Sequence, residues 1–551
     1  MNIGTLPARH ARYRGDHTAL IFGDTRLSYR DFNAAINRLA NAMLSDGIAK
    51  RDKVATILPY CIELMTLYWA AAKIGAVVVP SSTLLQAAGL KTLLVKSDCV
   101  CVFSTPAFAA TLNAVRADAP AVGEGRWVLT GEGADGFRTF EDFVGDASDT
   151  EPPDAGIDGE DPYNIIYSSG TTGEPKGIVH TTAGFLLGSW ANVQWQIGLE
   201  DDDIYWCATD VGWLTFPIHA IVGGPAHAAT LLWYEGSIDF PDRERFYQIA
   251  ARHKVTRILT APTVLRMLRA TGDEAVRRNP LPELRMISVQ GEPLDGESFR
   301  WASKTLGRGD LPIINGYGQT ETGSTWTYPV AGVDDIKAGS CGRPVPGHCC
   351  EIVDEAGQPV ADGVKGTLVL TAPFPTLAST IWDDHERYLK TYFQRFPGRY
   401  FTADEAVRDQ DGHLWVLGRA DDVINVAAHR ISTMEIESIA AAQSGVADAA
   451  VVGVNDAVKG TVPAAFLCLR PGEDVARVTA AVRKAVDAGI GGIARLEKVY
   501  ICPALPKTRA GKTMRRLLRE AAETGMVKGD TTGLDDPGTI DGVLAAVRSA
   551  A

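Results

Sequence analysis

The stretch that most constrains this chain is Tyr167-Ser168-Ser169-Gly170-Thr171-Thr172-Gly173-Glu174-Pro175-Lys176-Gly177, preceded by Asn164-Ile165-Ile166 and followed by Ile178-Val179-His180. Two mainly apolar segments bracket a run of small residues, three of them glycines. Backbone N–H groups in such a run can point outward and approach a polyanion with no Cβ in the way. Four Ser and Thr hydroxyls and one lysine add side-chain donors at the same place. The stretch reads as a phosphate-handling loop, against the plainer alternative of a flexible Ser/Thr/Gly surface loop. It is not a P-loop: five and six residues beyond Gly170 stand Pro175 and Lys176, where GxxxxGK[ST] needs Gly and then Lys. A Walker-type kinase or ATPase is therefore disfavoured.

At 551 residues the chain exceeds what one hydrophobic core supports, so two or more domains are expected. Lys and Arg number 54 against 67 Asp and Glu, a net charge of -13 that opposes non-specific binding to nucleic acid or anionic membranes. A polyanionic substrate must then be met by local basic groups. Nine cysteines are scattered, and the close pairs Cys99/Cys101 and Cys349/Cys350 lack zinc-site spacing, so they read as reduced core thiols. With no leader-like start and no long uncharged apolar run, a soluble cytoplasmic protein is expected.

In chain order, Leu20 to Leu27 suggests a hairpin turning at Gly23-Asp24, followed by a helix capped by Ser28 with Asp31 three residues on. Phe32, Ile36, Leu39, Ala40 and Met43 keep helical spacing up to Gly47. Residues 54–58 read as a buried strand, 61–74 as a helix and 77–80 as the next strand. Such alternation indicates a parallel sheet with helices on its faces. Residues 105–160, richer in Gly, Asp, Ala and Pro, read as a connection between subdomains. The stretch from Asp210 to His219 reads on composition as a core strand. Arg257 to Thr260 is a strand leading into a helix, with Thr260 or Thr263 as caps. Strands at 286–290 and 313–318 repeat the theme, so three loops should face one crevice at the strands' carboxyl ends. The turn 339–347 should be structural. Farther on, strands are expected near 449–454, 462–469 and 498–501, with a helix near 474–487.

The 167–177 string resembles the signature loop of the adenylate-forming superfamily, which holds acyl-CoA synthetases, nonribosomal peptide adenylation domains and luciferases. The likeness runs from about residue 15 to the terminus, and is greatest to short- and medium-chain acyl-CoA synthetases of the acetyl-CoA synthetase type. It implies an α/β fold, α+β overall: a large N-terminal domain of parallel-sheet subdomains over 1–420, and a small mobile α+β domain over 421–551. Ser168, Ser169, Gly170, Thr171, Thr172, Gly173, Lys176 and Arg430 would bind the ATP phosphates. Gly291, Glu292, Pro293, Asn315, Gly316, Tyr317, Gln319, Asp404 and Arg419 would hold adenine and ribose. Thr320 would reach the α-phosphate, Glu321 would hold Mg²⁺, and Lys512 would catalyse adenylation. Asp421 falls at the hinge. Ala427 and Ala428 border the tunnel for coenzyme A, with Ala428 standing where short-chain relatives carry Gly. Glu435 and Glu437 read as a solvated helix face, and His219 as a core histidine.

By the same resemblance, Trp213, Leu214, Thr215, Gln290 and Gly318 line the acyl pocket. Acetate-specific members close that pocket with Trp where this chain has Gly318, so it should be deeper than acetate needs. Gln290 is an odd residue there, because an unpaired buried amide costs about 1–3 kcal/mol. Either a protein neighbour or the substrate must satisfy it. The expected activity is an AMP-forming acyl-CoA synthetase acting on a short- to medium-chain acid with ATP, Mg²⁺ and coenzyme A; Gln290 beside Gly318 puts a short or branched acid carrying a hydroxyl or similar polar group first, with simple medium-chain or aromatic acids next. Lys512 is also an expected target of a lysine acetyltransferase, since acetylation would cancel its charge. The competing readings are a ligase that loads a carrier protein and a non-catalytic nucleotide-binding relative.

Overall fold

Apolar strands alternating with amphipathic helices bury both faces of a sheet only when helices cover both sides. The computed structural model describes residues 2–83, 85, 87–168, 175–419, 423–426, 429–456, 460–490, 494–508, 513–529, 531 and 533–550, without the side chains of 88, 423–426, 429–432, 435 and 460. The chain divides into two compact units, Met1–Cys349 with Ala372–Gly398, and Cys350–Thr371 with Arg399–Ala551. This division by compactness falls elsewhere than the expected functional boundary at 420/421.

The first unit carries two sheets. One has nine strands in the order Arg343–Pro344, Thr325–Tyr328, Ile313–Gly318, Met286–Gln290, Arg257–Thr260, Ile204–Cys207, Thr230–Trp233, Thr18–Phe22, Thr25–Ser28. Its strands from Ile313–Gly318 to Thr18–Phe22 run parallel. The three expected crevice strands are therefore side by side with their carboxyl ends together. The second sheet has eight strands in the order Thr380–Ile381, Lys176–Thr181, Pro162–Ser168, Val77–Pro80, Lys53–Ile57, Cys99–Ser104, Trp127–Leu129, Arg138–Thr139. One apolar cluster draws on both sheets and on the Ile62–Ile74 helix, which is buried on every side from Leu64 to Ile74. Side chains alternate between faces, so Tyr205 joins this cluster while Trp206 joins the one behind the nine-stranded sheet.

Several expectations hold in detail. The hairpin turns after Phe22, and Ser28 Oγ accepts from Asp31 N at 3.1 Å to cap the Tyr29–Ser45 helix. All nine cysteines are free thiols, but the core reading holds for six of them only: Cys349 is exposed and Cys61 and Cys350 are half-buried. Three expectations are corrected. Residues 105–160 are not a bare connection, because Trp127–Leu129 and Arg138–Thr139 extend the eight-stranded sheet and the Ala109–Val115 helix packs beside them. The 210–219 stretch is a turn leading into a helical turn at Pro217–Gly223, since Asp210 Oδ1 takes Gly212 N at 2.7 Å and Pro217 cannot continue a strand ladder. Neither Thr260 nor Thr263 caps the Pro262–Thr271 helix by its side chain; Glu292 takes over that function, as described below.

Residues 372–398 return to the first unit after the chain has left it. Ser379 N donates to Val179 O at 3.0 Å, and Thr380–Ile381 adds an antiparallel edge to Lys176–Thr181. Gly184 and Gly323 make room for this segment: a Cβ on either would run into the Pro375 or Thr376 carbonyl oxygen.

The second unit holds a four-stranded antiparallel sheet, Cys350–Val353, Gly366–Leu370, Tyr400–Arg408, Leu414–Arg419. A five-stranded sheet follows, in which the long Val446–Asp456 and Gly460–Leu469 strands pair antiparallel and Lys498–Ile501 joins the latter in parallel. The Thr433–Ala441 and Val475–Gly489 helices cover one face, the Arg515–Thr524 and Thr539–Ala550 helices the other. Among the described residues no helix is long and apolar enough to cross a membrane.

Candidate active site

The strands that flank the glycine-rich loop form an antiparallel pair in which Ser168 stands opposite Lys176 and Asn164 opposite His180. Ser169, Gly170, Thr171, Thr172 and Gly173 lie outside the described residues, so the site is built from the two ends of the loop. Ser168 Oγ is buried with no partner among the described residues. Lys176 is buried, and its Nζ donates to the Tyr392 hydroxyl at 2.8 Å. Tyr392 in turn donates to Glu321 Oε1, while Lys176 Nζ lies 3.7 Å from the same oxygen. Tyr392 closes the His385–Tyr392 helix and was not singled out by the sequence. Only its i, i+4 spacing from the buried Tyr388 marked it, which signals a packed face and not a site.

Glu321 belongs to a tight turn at the end of the Ile313–Gly318 strand. Gly323 N donates to Thr320 O at 3.2 Å, and Ala378 N to Glu321 O at 2.8 Å. Gln319 N donates to Thr322 Oγ1 at 2.8 Å. His180 reaches this turn from the flanking strand: its Nε2 lies 2.7 Å from the Thr320 carbonyl oxygen and its Nδ1 2.8 Å from Asn164 Oδ1. Among the described residues no group of three or more His, Cys, Asp or Glu side chains is arranged to hold a metal. Among the described residues Glu321 engages protein partners through Oε1 alone, which leaves a hard oxygen donor of the kind Mg²⁺ shares with phosphates and water.

The adenine-side residues follow the neighbouring strands. Gly291 adopts φ 98°, a conformation open to glycine, where the chain turns off the Met286–Gln290 strand towards Glu292 and Pro293. Glu292 Oε1 accepts from Thr263 N at 2.7 Å and from the Thr263 hydroxyl, and Oε2 accepts from Arg266 Nη2 at 2.6 Å. A carboxylate from a distant loop thus satisfies an orphan donor at the start of the Pro262–Thr271 helix, where negative charge also suits the helix dipole. Asn315 is buried; its Nδ2 donates to Ser340 O at 3.2 Å, which anchors the 339–347 turn, while its Oδ1 is buried with no partner among the described residues. A Cβ on Gly316 would lie 2.6 Å from Gln196 Nε2. Tyr317 meets Trp326 edge to face at 5.4 Å.

In the acyl region Leu214 is buried and Trp213 is 38% exposed. Gln290 Oε1 accepts from Thr325 Oγ1 at 2.7 Å and Gln196 Nε2 at 3.1 Å, and Gln290 Nε2 donates to Thr215 Oγ1 at 3.1 Å. His219 is fully buried, as a core histidine should be. Burial pushes its imidazole down to about 3, and neither ring nitrogen has a hydrogen-bond partner among the described residues. Protein neighbours therefore pair the Gln290 amide at both its oxygen and its nitrogen. Gly318 is closely packed: a Cβ there would meet the Ser324 carbonyl oxygen and come within 2.8 Å of Thr325 Cα.

In the second unit Asp404 and Arg419 stand opposite each other across two strands. Arg419 Nη1 lies 3.8 Å from Asp404 Oδ1 and donates to Thr402 O at 3.1 Å. Ala403 holds φ 57° immediately before the buried Asp404, a strained conformation for a residue with a Cβ. Glu437 is not on a solvated face: it is buried, accepts from Val451 N at 2.7 Å, and pairs with Arg515 Nη2 at 2.6 Å. Arg430 is described only by its backbone, opposite Asn425. Asp421, Ala427, Ala428 and Lys512 lie outside the described residues, as does the side chain of Glu435.

Within the first unit a hairpin thus presents a buried lysine to a carboxylate at the next sheet's strand ends, and within the second unit an Asp/Arg pair stands across two strands. The AMP-binding enzyme family matches residues 7–382, and the AMP-binding enzyme C-terminal domain matches 435–512. The chain belongs to this family, the adenylate-forming enzymes, and is of its acetyl-CoA synthetase type; its class is the AMP-forming acid–thiol ligases. It is 38% identical to the acetyl-coenzyme A synthetase of Chromobacterium violaceum, over 96% of this chain and 85% of the relative. It is 37% identical to that of Chlorobaculum tepidum, over 94% of this chain and 80% of the relative. Among solved structures, the anthranilate CoA ligase AuaEII in complex with anthranoyl-AMP superposes with a TM-score of 0.84 at 26% identity, covering 95% of this chain and 97% of that one. Acetoacetyl-CoA synthetase from Streptomyces lividans, at 22% identity and a TM-score of 0.88, covers 100% of this chain and 87% of that one and shares its fold.

Proposed function

We propose that the chain joins a short- to medium-chain carboxylic acid to ATP, releasing pyrophosphate and forming an acyl-adenylate, and then passes the acyl group to the thiol of coenzyme A. The observation that carries this reading is the buried Lys176–Tyr392–Glu321 contact, which brings one end of the glycine-rich loop within 3.7 Å of the metal-type carboxylate. Carboxylate and α-phosphate are both anions, so their approach needs fixed cations and donors in a site that excludes water. Ser168 and Lys176 would hold phosphate oxygens, Thr320 would meet the α-phosphate, and Glu321 would hold Mg²⁺. When bound, that ion offsets phosphate charge. Asp404 would accept from the ribose hydroxyls, since a carboxylate takes two such bonds at once.

The acyl-adenylate is a mixed anhydride that water destroys, which favours two successive arrangements of one site. The 421–551 domain, turning at Asp421, would bring Lys512 for the first half-reaction and remove it for the second, with Ala427 and Ala428 along the thiol's path. Lys512→Ala should abolish acyl-AMP formation and spare thioester formation from supplied acyl-AMP; equal loss of both would refute the division of labour. Acetylation of Lys512 would act in the same direction. With Gln290 paired internally, we favour plain acids over hydroxylated ones. The decisive assay is acid-dependent exchange between ATP and pyrophosphate across a carboxylic acid panel, followed by AMP release that requires coenzyme A and no carrier protein. No exchange with any acid would end this reading.

A further inference from the structure

The hydrogen bonds around His180 cannot be satisfied as a neutral ring meets them. Nδ1 faces Asn164 Oδ1 at 2.8 Å and Nε2 faces the Thr320 carbonyl oxygen at 2.7 Å, so both ring nitrogens point at acceptors. A neutral imidazole carries one N–H. Meanwhile Asn164 Nδ2 is buried with no hydrogen-bond partner among the described residues. Amide oxygen and nitrogen are assigned from the network, and half a turn of the Asn164 amide places Nδ2–H against Nδ1. Nε2 then keeps the proton and donates it to Thr320. The ring is 1% exposed, and burial pushes it down to about 4 despite the Thr320 contact and the Glu321 charge, so it is neutral at physiological pH.

We propose that His180 is a positioning residue for adenylation: as the Nε2–H tautomer, set by Asn164, it holds the Thr320 carbonyl and so fixes the Thr320–Glu321 turn to the hairpin that carries the glycine-rich loop. The inference rests on the adenylation reading above. Asn164 and His180 face each other across that hairpin, so the ring is braced from the strand entering the loop as well as the strand leaving it. Phe185 lies against the ring at 5.5 Å between centroids, and Gly323 leaves it room, since a Cβ there would come within 3.1 Å of His180 Cδ2. The ring touches no reacting atom. It aligns the groups that do, by the same logic that outer-shell partners orient ligating residues.

The test compares His180→Phe, which keeps a ring and loses the donor, with His180→Gln, whose amide nitrogen reaches the Nε2 position. In acid-dependent pyrophosphate exchange, His180→Phe should lose about 10- to 100-fold in kcat with the KM for ATP nearly unchanged. Thioester formation from supplied acyl-AMP should stay near wild type. His180→Gln should recover most of the lost kcat. Nitrogen-15 spectra of the ring, assigned by difference from His180→Gln, should show the Nε2–H tautomer. Equal activity of wild type and His180→Phe, equal loss in both variants, or an Nδ1–H ring would overturn the proposal. If His180→Phe does not fold, His180→Asn replaces it, because the shorter amide cannot span to Thr320; a kcat matching His180→Gln overturns the proposal. Wild-type protein without exchange would sink the adenylation reading instead, and the tautomer measurement would still decide the hydrogen bond.

Discussion

Tyr392 sits between a cation and an anion, accepting from Lys176 and donating to Glu321. A hydrogen bond to a charged group contributes about 1.5–3 kcal/mol, so Tyr392→Phe should slow pyrophosphate exchange by about ten- to a hundredfold. Thioester formation from supplied acyl-AMP should change little, and equal slowing of both steps would show that the hydroxyl serves folding instead. Gly318 makes a second residue-scale case. The family resemblance places a Trp here in acetate-specific members, yet a Cβ at this position runs into the backbone of Ser324 and Thr325. Gly318→Trp should therefore destabilise by about 2 kcal/mol or more before it narrows any pocket. A urea midpoint equal to wild type, together with a new preference for acetate, would refute this.

At the scale of elements, Asp161 secures the start of the Pro162–Ser168 strand. Burial opposes its ionisation, but hydrogen bonds from Lys50, Arg51 and the Asp158 N–H overrule it and bring its carboxyl down to about 2. A carboxyl held so low contributes about 2 kcal/mol above its unfolded pKa near 4, lost as pH falls towards the folded value. Asp161→Asn should be less stable than wild type by a constant margin from pH 7 to 5, and the margin should close below pH 4 in urea titrations. Elements were legible where pattern and chemistry agreed: the Ser28 cap, the Gly23 hairpin and the three crevice strands follow from local spacing. The short strands Trp127–Leu129 and Arg138–Thr139 were hidden, being too short for a periodic signal in a Gly- and Asp-rich region. The Glu292 cap was hidden for another reason. Its partner is 29 residues away, so only tertiary folding brings it to Thr263. Tyr392, Asn164 and His180 were missed as site residues because buried side chains give no sequence sign of which neighbour they brace, while Glu437 looked solvated until Arg515 was seen against it.

Across the whole molecule, three buried histidines share one unit. Burial pushes His10 and His180 to about 4 and His219 to about 3, whereas an unfolded histidine titrates near 6.5. The unfolded chain therefore binds more protons as pH falls through that window, and stability drops with a limiting slope of about 4 kcal/mol per pH unit. Trp415 is the one tryptophan of the second unit, so intrinsic fluorescence reports chiefly on the first. Guanidinium midpoints followed this way should fall between pH 7 and 5, and an unchanged midpoint would contradict the assignment of neutral buried rings. The return of residues 372–398 to the first unit has a further consequence for biosynthesis. A ribosome releases the glycine-rich loop early, but Ala378, the Thr380–Ile381 edge and Tyr392 emerge only after the excursion through 350–371. Until then the Lys176–Thr181 strand is an unpaired border open to misassociation, and Lys176 and Glu321 lack the hydroxyl that joins them. Translation stopped before Tyr392 would yield a product bearing the nucleotide loop without the setting that puts it to use.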